Sequence, residues 1–153
     1  MALKGYSAIS GKEGRAFATI DGENVDLFFS KSISASVEKH KSTVKAIGKR
    51  MDGHKTSGGE GTGSMTIYYM TPYFRRMLRE YLDTGVDVYF NMTISNTDLA
   101  SSAGSQTTLL IDCNLDSVMI AQLDADSDDP LEEDMDFTFE DYRMLEEFTP
   151  FTE

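Results

Sequence analysis

The chain has one cysteine and two histidines in 153 residues. The lone cysteine, Cys113, excludes an internal disulfide and fits folding in a reducing compartment. With no histidine near it in sequence it reads as a small buried hydrophobe on a strand, not a nucleophile. His40 and His54 fall among lysines in expected turns and read as surface residues. No Cys–His cluster exists to hold zinc, and no serine–histidine–acid arrangement can be assembled for hydrolysis. Long apolar runs are also missing. None approaches the roughly 20 residues of a membrane span, and MALKGYSAIS lacks the apolar core of a signal peptide. The expectation is a soluble chain made in the cytoplasm. There is no internal repeat and no low-complexity tract. The length suits a single domain over 1–153, able to bury about 68–70% of its unfolded surface without a staple.

Positive charge is scarce and localised. The net charge is −12, and from Asp112 onward fifteen acids face one base, Arg143. Residues 31–55 reverse the balance, with Lys31, Lys39, Lys41, Lys45, Lys49, Arg50 and Lys55 against Glu38 and Asp52. One basic and one acidic region allow copies of a molecule to attract head to tail. From charge alone, a soluble domain with an acidic tail is an equal reading.

Period-two alternation dominates, the mark of half-buried strands. GRAFATI (14–20) alternates into the turn signal DGEN (21–24). VDLFFSKSISASV (25–37) follows, with Ile33, Ala35 and Val37 on one face and Ser32, Ser34 and Ser36 on the other. EKHK (38–41) reads as a turn and STVKAIG (42–48) as the return strand, so 25–48 is expected as one hairpin. A glycine-rich loop at 49–61 leads into TGSMTIYYM (62–70). TPYFRRMLREYLDTG (71–85) is the one expected helix, with Thr71 as N-cap, Pro72 at N1 and Gly85 as the stop. Its stripe of Phe74, Met77, Leu78, Tyr81 and Leu82 is expected to pack on a sheet, with Arg75, Arg76 and Arg79 on the flanks. Further strands are expected at 86–95, 106–115, 117–125 and 135–142. A loop of small polar residues is expected at 96–105, an acidic break at 126–134 and an aperiodic tail at 143–153. About seven strands and one helix predict a mainly β fold, an antiparallel β-barrel or sandwich with a flanking helix.

The chemical motifs fail on inspection. SGGEGTGS lacks the lysine of a phosphate loop and enters a strand instead of a helix. Gly11-Lys12 follows Gly5 at the wrong spacing, with Glu13 where a hydroxyl belongs. G-x-G-x-x-G is absent. DADSDDPLEEDM (124–135) imitates a calcium loop but has Asp129 where the sharp-turn glycine belongs and Met135 where the bidentate glutamate belongs. Glu132 and Glu133 read as solvated acids, not a catalytic pair. No enzymatic activity, cofactor or metal is expected.

Three stretches carry a resemblance: ALKGYSAISGKEGRA, VEKHKSTVKAIGKRMDGHKTSGGEGTGSMTIYYMTPYFRRML, and NLDSVMIAQLDAD with LEEDMDFTFEDY. In these the chain resembles the tail tube proteins of contractile-tailed phages, particularly the PBSX-type prophage tubes. The resemblance implies a small β-barrel with a flanking helix, built into six-membered rings that stack as a hollow tube. It implies self-association as the main partnership, with tail sheath, baseplate and tape-measure proteins beside it, in a virion tail or phage-tail-like particle. DNA would pass through the lumen without specific binding, and no membrane is involved. Ser32, Ser34, Ser36, Thr62, Ser64 and Thr66 then become candidates for a neutral, hydrated lumen wall free of the cations that bind phosphate. Lys39, Lys41, Lys45, Lys49, Arg50, His54, Lys55, Gly58, Gly59 and Gly61 become candidates for a stacking arm. Its glycine-rich part would be mobile in the free subunit and order on assembly. Asp124, Asp126 and Asp128 become candidates for the face it meets.

Two other readings stay open. The same fold could form the tube of a phage-tail-like bacteriocin or a secretion system, where no DNA passes. A monomeric ligand-binding barrel would need polar groups among its inward residues, and the inward positions assigned here (Ile33, Ala35, Val37, Met65, Ile67) are plain core residues. An enzyme is the remotest reading, because no motif supports one.

Overall fold

A computed structural model describes residue 5 and residues 14–27, 30–99 and 103–150. The resemblance over residues 2–4 and 6–13, the Gly11-Lys12 spacing, Phe28 and Phe29, residues 100–102 of the expected polar loop and 151–153 of the expected tail lie outside the described residues. Within them the order is β1 (Gly14–Ile20), β2 (Glu23–Asp26), β3 (Ser30–Val44), β4 (Gly53–Tyr68), α1 (Tyr73–Thr84), β5 (Phe90–Thr97), β6 (Ser105–Leu115), β7 (Glu132–Phe139) and β8 (Asp141–Glu146). Asp21 and Gly22, at φ 51° and 83°, join β1 to β2 in the two-residue mirror-image turn that matches strand twist.

All strand pairs are antiparallel. The path β2-β1-β5-β6-β7-β4-β3, with β8 on β6, does not close. The fold is mainly β with one helix, as expected, and among the described residues the sheet does not close into a barrel. The reason lies in β6. Its first part pairs with β5 and β8, its last two residues with β7. Between them Asp112 takes φ 56°, its N–H donated to Asn91 Oδ1 at 3.1 Å, and the β5–β6 register shifts. The bend delivers one strand to two sheets, a usual role for such irregularities. The two halves bury their apolar faces against each other: Ala18, Phe90, Met92 and Leu110 from one, Met65, Ile67, Met135 and Phe137 from the other.

The helix seals this core with Phe74, whose ring lies 6.3 Å from that of Phe90. Pro72 is its N-cap residue; Thr71, expected in that role, stands one residue earlier. Gly85 ends it as expected, at φ 76° with its N–H on Tyr81 O. The apolar stripe is shorter than expected, because Tyr81 and Leu82 run past the sheet and are 44% and 59% exposed.

Four further expectations are corrected. Residues 25–48 are not a hairpin: β3 runs straight through EKHK, which offers no residue suited to a left-handed turn. The chain turns at 45–52 instead, where Gly48 takes φ 82°. The glycine-rich segment is not a loop, because Gly53–Gly61 completes the ladder that β3 presents. SVMIAQLDA is not a strand, for it finds no ladder partner among the described residues. The tail begins later than 143, since β8 extends to Glu146 by pairing with β6.

Candidate functional site

The register of β3 on β4 sets Ser32 opposite Thr66, Ser34 opposite Ser64 and Ser36 opposite Thr62. Directly opposed residues share a sheet face, so all six expected lumen residues lie on one surface. Ser34 and Ser64 hydroxyls are 3.3 Å apart. The next strand adds what the sequence reading missed. Asp134, Asp136 and Thr138 of β7 stand opposite Thr66, Ser64 and Thr62, and Thr66 Oγ1 donates to Asp134 Oδ1 at 2.7 Å. Ser34, Ser36, Thr62, Ser64, Asp116 and Asp136 line one shallow trough. The face is acidic, not neutral. The signal was present in DMDFTF, where Asp134 and Asp136 alternate with the buried Met135 and Phe137.

The opposite phase of these strands explains two glycines. Gly61 and Gly63 face Phe139 and Phe137 across the ladder. A Cβ at either would stand within 2.5 Å of a ring carbon. They are seats for aromatic rings. Of the other inward positions, Met65 and Ile67 are buried and Ile33 is half-buried, whereas Ala35 and Val37 are exposed because no layer lies beneath them.

Lys31 borders the face where β3 begins. Its ammonium lies 2.8 Å from Glu132 Oε1, and that hydrogen bond and charge raise its pKa.

Pairing between β4 and β7 stops at Gly61 opposite Phe139, but β3 and β4 continue through seven more cross-strand pairs, Glu38–Glu60 to Val44–Gly53. At about 3.4 Å per residue this two-stranded arm is about 24 Å long. It has no core of its own. Ile47 and Met51 at its tip are 107% and 78% exposed. Lys39, Lys41, Lys45, Lys49, Arg50, His54, Lys55, Gly58 and Gly59 lie along it, and Gly61 sits at its root.

Asp124, Asp126 and Asp128 lie just before β7, all exposed. That loop is tied to the other end of the ladder, where Tyr69 N–H donates to Leu131 O at 2.9 Å and Glu132 faces Tyr68. The basic arm and the acidic loop thus leave opposite ends of the β4–β7 ladder. They do not meet within one subunit.

Arg75, expected on a flank, is a hub. Its Nη1 donates to Glu133 Oε1 at 2.6 Å and to Met119 O at 3.0 Å, and Nη2 donates to Thr71 O. The guanidinium lies 4.7 Å from the centre of the Tyr69 ring. The Glu133 side chain is 1% exposed, and its Oε2 has no partner among the described residues. Glu133, expected as a solvated acid, is buried because β7 already begins at Glu132 and the alternation of EDMDFTF sets Glu133 in phase with Met135 and Phe137. Arg75 carries no such mark.

Cys113 is fully buried. Burial pushes its thiol up to about 12, opposed in part by a backbone hydrogen bond at Met92, so it is a poor nucleophile at neutral pH. Among the described residues no three His, Cys, Asp or Glu side chains converge as a metal site.

The profile of a family described as phage tail tube protein matches residues 1–146. The phage-like element PBSX protein XkdM of Bacillus subtilis is 44% identical over 149 residues, covering 97% of this chain and 98% of that protein. Among solved structures, a chain of the six-fold symmetrised anti-feeding prophage baseplate superposes with a TM-score of 0.69. It is 16% identical and covers 95% of this chain and 97% of its own. A chain of the sheath–tube complex of an extracellular contractile injection system, in the extended state, gives 0.63 at 12% identity, with 90% of each chain covered. At these low identities the two structures speak to fold.

Proposed function

The chain belongs to the phage tail tube protein family, and on that footing we propose that its copies form six-membered rings stacked into a hollow tube. The observation that carries this reading is the placement of opposite charge at the two ends of one ladder. A basic arm about 24 Å long projects from one end and an acidic loop occupies the other. Contacts between unlike faces generate rings when the rotation closes and open stacks when it does not. The arm of one ring would lie against the acidic loop of the next.

The hydroxyl and carboxylate face would line the lumen. Asp134, Asp136 and Asp116 there repel phosphate, and Lys31, the cation bordering the face, is bound to Glu132. Such a wall lets DNA pass and does not hold it. Sheath, baseplate and tape-measure proteins are the further partners this reading assigns.

The test shortens the arm without disturbing the glycine seats. Residues 40–58 are replaced by Asn-Gly, so that a two-residue turn joins Lys39 to Gly59, its ladder partner. The expected product keeps its circular dichroism spectrum and melting transition and forms no tubes by negative-stain electron microscopy. Tubes as abundant as those of the parent chain would overturn the role of the arm.

A further inference from the structure

The turn that caps the arm is amphipathic. Lys49 N–H donates to Ala46 O at 3.4 Å, and Gly48 takes the left-handed third position of that four-residue turn at φ 82°. Ile47 is left at the apex, fully exposed, and Met51 is exposed four residues on. Val44, the last residue of β3, is a third exposed apolar side chain. Lys45, Lys49 and Arg50 lie among them. Every residue from 38 to 60 except Gly53 is exposed, so no described part of the subunit covers the tip. An isolated exposed apolar residue is ordinary. Apolar side chains set among cations at one tip are the composition that lodges where acyl chains meet anionic headgroups.

The length of the arm decides whether the acidic body forbids such a contact. Residues 39–59 hold six cations and one acid, Asp52, in a chain of net charge −12, so the body is strongly negative. The Debye length is about 8 Å at physiological ionic strength, and the arm is about 24 Å long. A surface touched by the tip therefore lies about three Debye lengths from the body, where its repulsion is screened. The geometry points to Ile47 and Met51 as an apolar wedge that enters an anionic lipid surface, with Lys45, Lys49 and Arg50 against the headgroups. The resemblance implies no membrane partner, and the tip is the feature that departs from it. Nucleic acid, the competing polyanion, is bound chiefly through phosphate charge, so the two apolar side chains favour lipid. The contact needs no ring. On the ring reading above, an open stack still leaves one end ring whose arms meet no further ring, and its tips act together.

Vesicle co-sedimentation of the parent chain tests this, with phosphatidylcholine alone and with phosphatidylcholine mixed with phosphatidylglycerol. The expected result is binding to the mixed vesicles only. Lys45→Gln, Lys49→Gln and Arg50→Gln together should lower that affinity by about a hundredfold, roughly fivefold for each cation. Ile47→Ser with Met51→Ser should lower it by about tenfold or more. Both variants should melt as the parent does, because the tip has no core to lose. No binding of the parent to the mixed vesicles would overturn the inference. So would binding that the Ile47 and Met51 changes leave untouched, and equal affinity for single-stranded DNA would then assign the tip to polyanions at large. Vesicle binding by a chain that forms no rings would support the lipid contact while overturning the ring reading. As an independent measurement, an environment-sensitive dye is attached at Ile47→Cys or at Glu60→Cys, in a chain whose native Cys113 is buried. Its emission should shift to the blue on mixed vesicles at the tip and not at the root. A shift at neither position would remove insertion.

Discussion

The ring of Phe137 occupies the space a side chain at Gly63 would need: a Cβ there would stand 2.4 Å from its Cζ and 2.6 Å from Ser34 O. Gly63→Ala should therefore destabilise the subunit by about 1–3 kcal/mol through overpacking. Gly53→Ala, where the new carbon meets only Val44 O at 3.7 Å, should change stability by no more than about 0.5 kcal/mol. Urea unfolding of the two variants checks the contrast.

Arg75 and Glu133 form a mostly buried pair. Removing one partner leaves an uncompensated charge, so Arg75→Met should cost about 3–5 kcal/mol. Adding Glu133→Gln to that variant should recover part of the loss, because no buried charge then remains. A double-mutant cycle by thermal denaturation measures the coupling, and simple additivity would mean the pair contributes only packing.

The charged ends of the ladder predict a salt dependence. Changing Lys39, Lys41 and Lys45 together to glutamate should weaken ring stacking, and more at low than at high ionic strength, because screening already blunts the attraction. Light scattering during assembly reads the effect. Equal loss at both salt levels would assign the defect to something other than charge.

Cys113 should be inert to a thiol reagent in the folded subunit and give one reactive thiol per chain after denaturation. Its thiol is raised from 9.0 to about 12 by burial, so the unfolded chain loses the proton first as pH rises. The stabilisation is complete below about pH 9 and falls by up to about 1.4 kcal/mol per pH unit between there and about pH 12. Cys113→Ala should flatten that part of the alkaline stability profile, although Lys31, raised by Glu132, leaves a decline of the same sign.

Sequence reading found the elements whose burial writes a pattern. β1, β6 and the helix with its Gly85 stop lie where it places them, because one face of each meets the core, whereas the strand expected at 135–142 begins inside the expected acidic break, at Glu132, and breaks at Glu140 into β7 and β8. That Ser32, Ser34 and Ser36 share one face, and Thr62, Ser64 and Thr66 another, follows from the same alternation. That the two sets face each other is not in the alternation, because the sequence reading pairs 25–37 with 42–48, whereas β3 pairs with β4. The arm escaped it because both its faces are wet, so neither strand alternates and polar EKHK imitates a turn. Ser117–Leu123 misled in the opposite direction. Its apolar content promises a strand, but strand formation depends on a neighbouring edge that sequence does not display. Arg75 was unreadable for a related reason: whether a helical arginine faces water or a buried acid depends on which strand lies beside it.

The aromatic rings and their glycine seats also impose an order in time. Gly61 and Gly63 leave the ribosome about 75 residues before Phe139 and Phe137, and β4 cannot be clamped until both arrive. The glycine-rich stretch can pair with β3 as soon as it emerges, while the pairing that packs the root of the arm waits for the last strands. Only a finished chain can hold the root of the arm rigid.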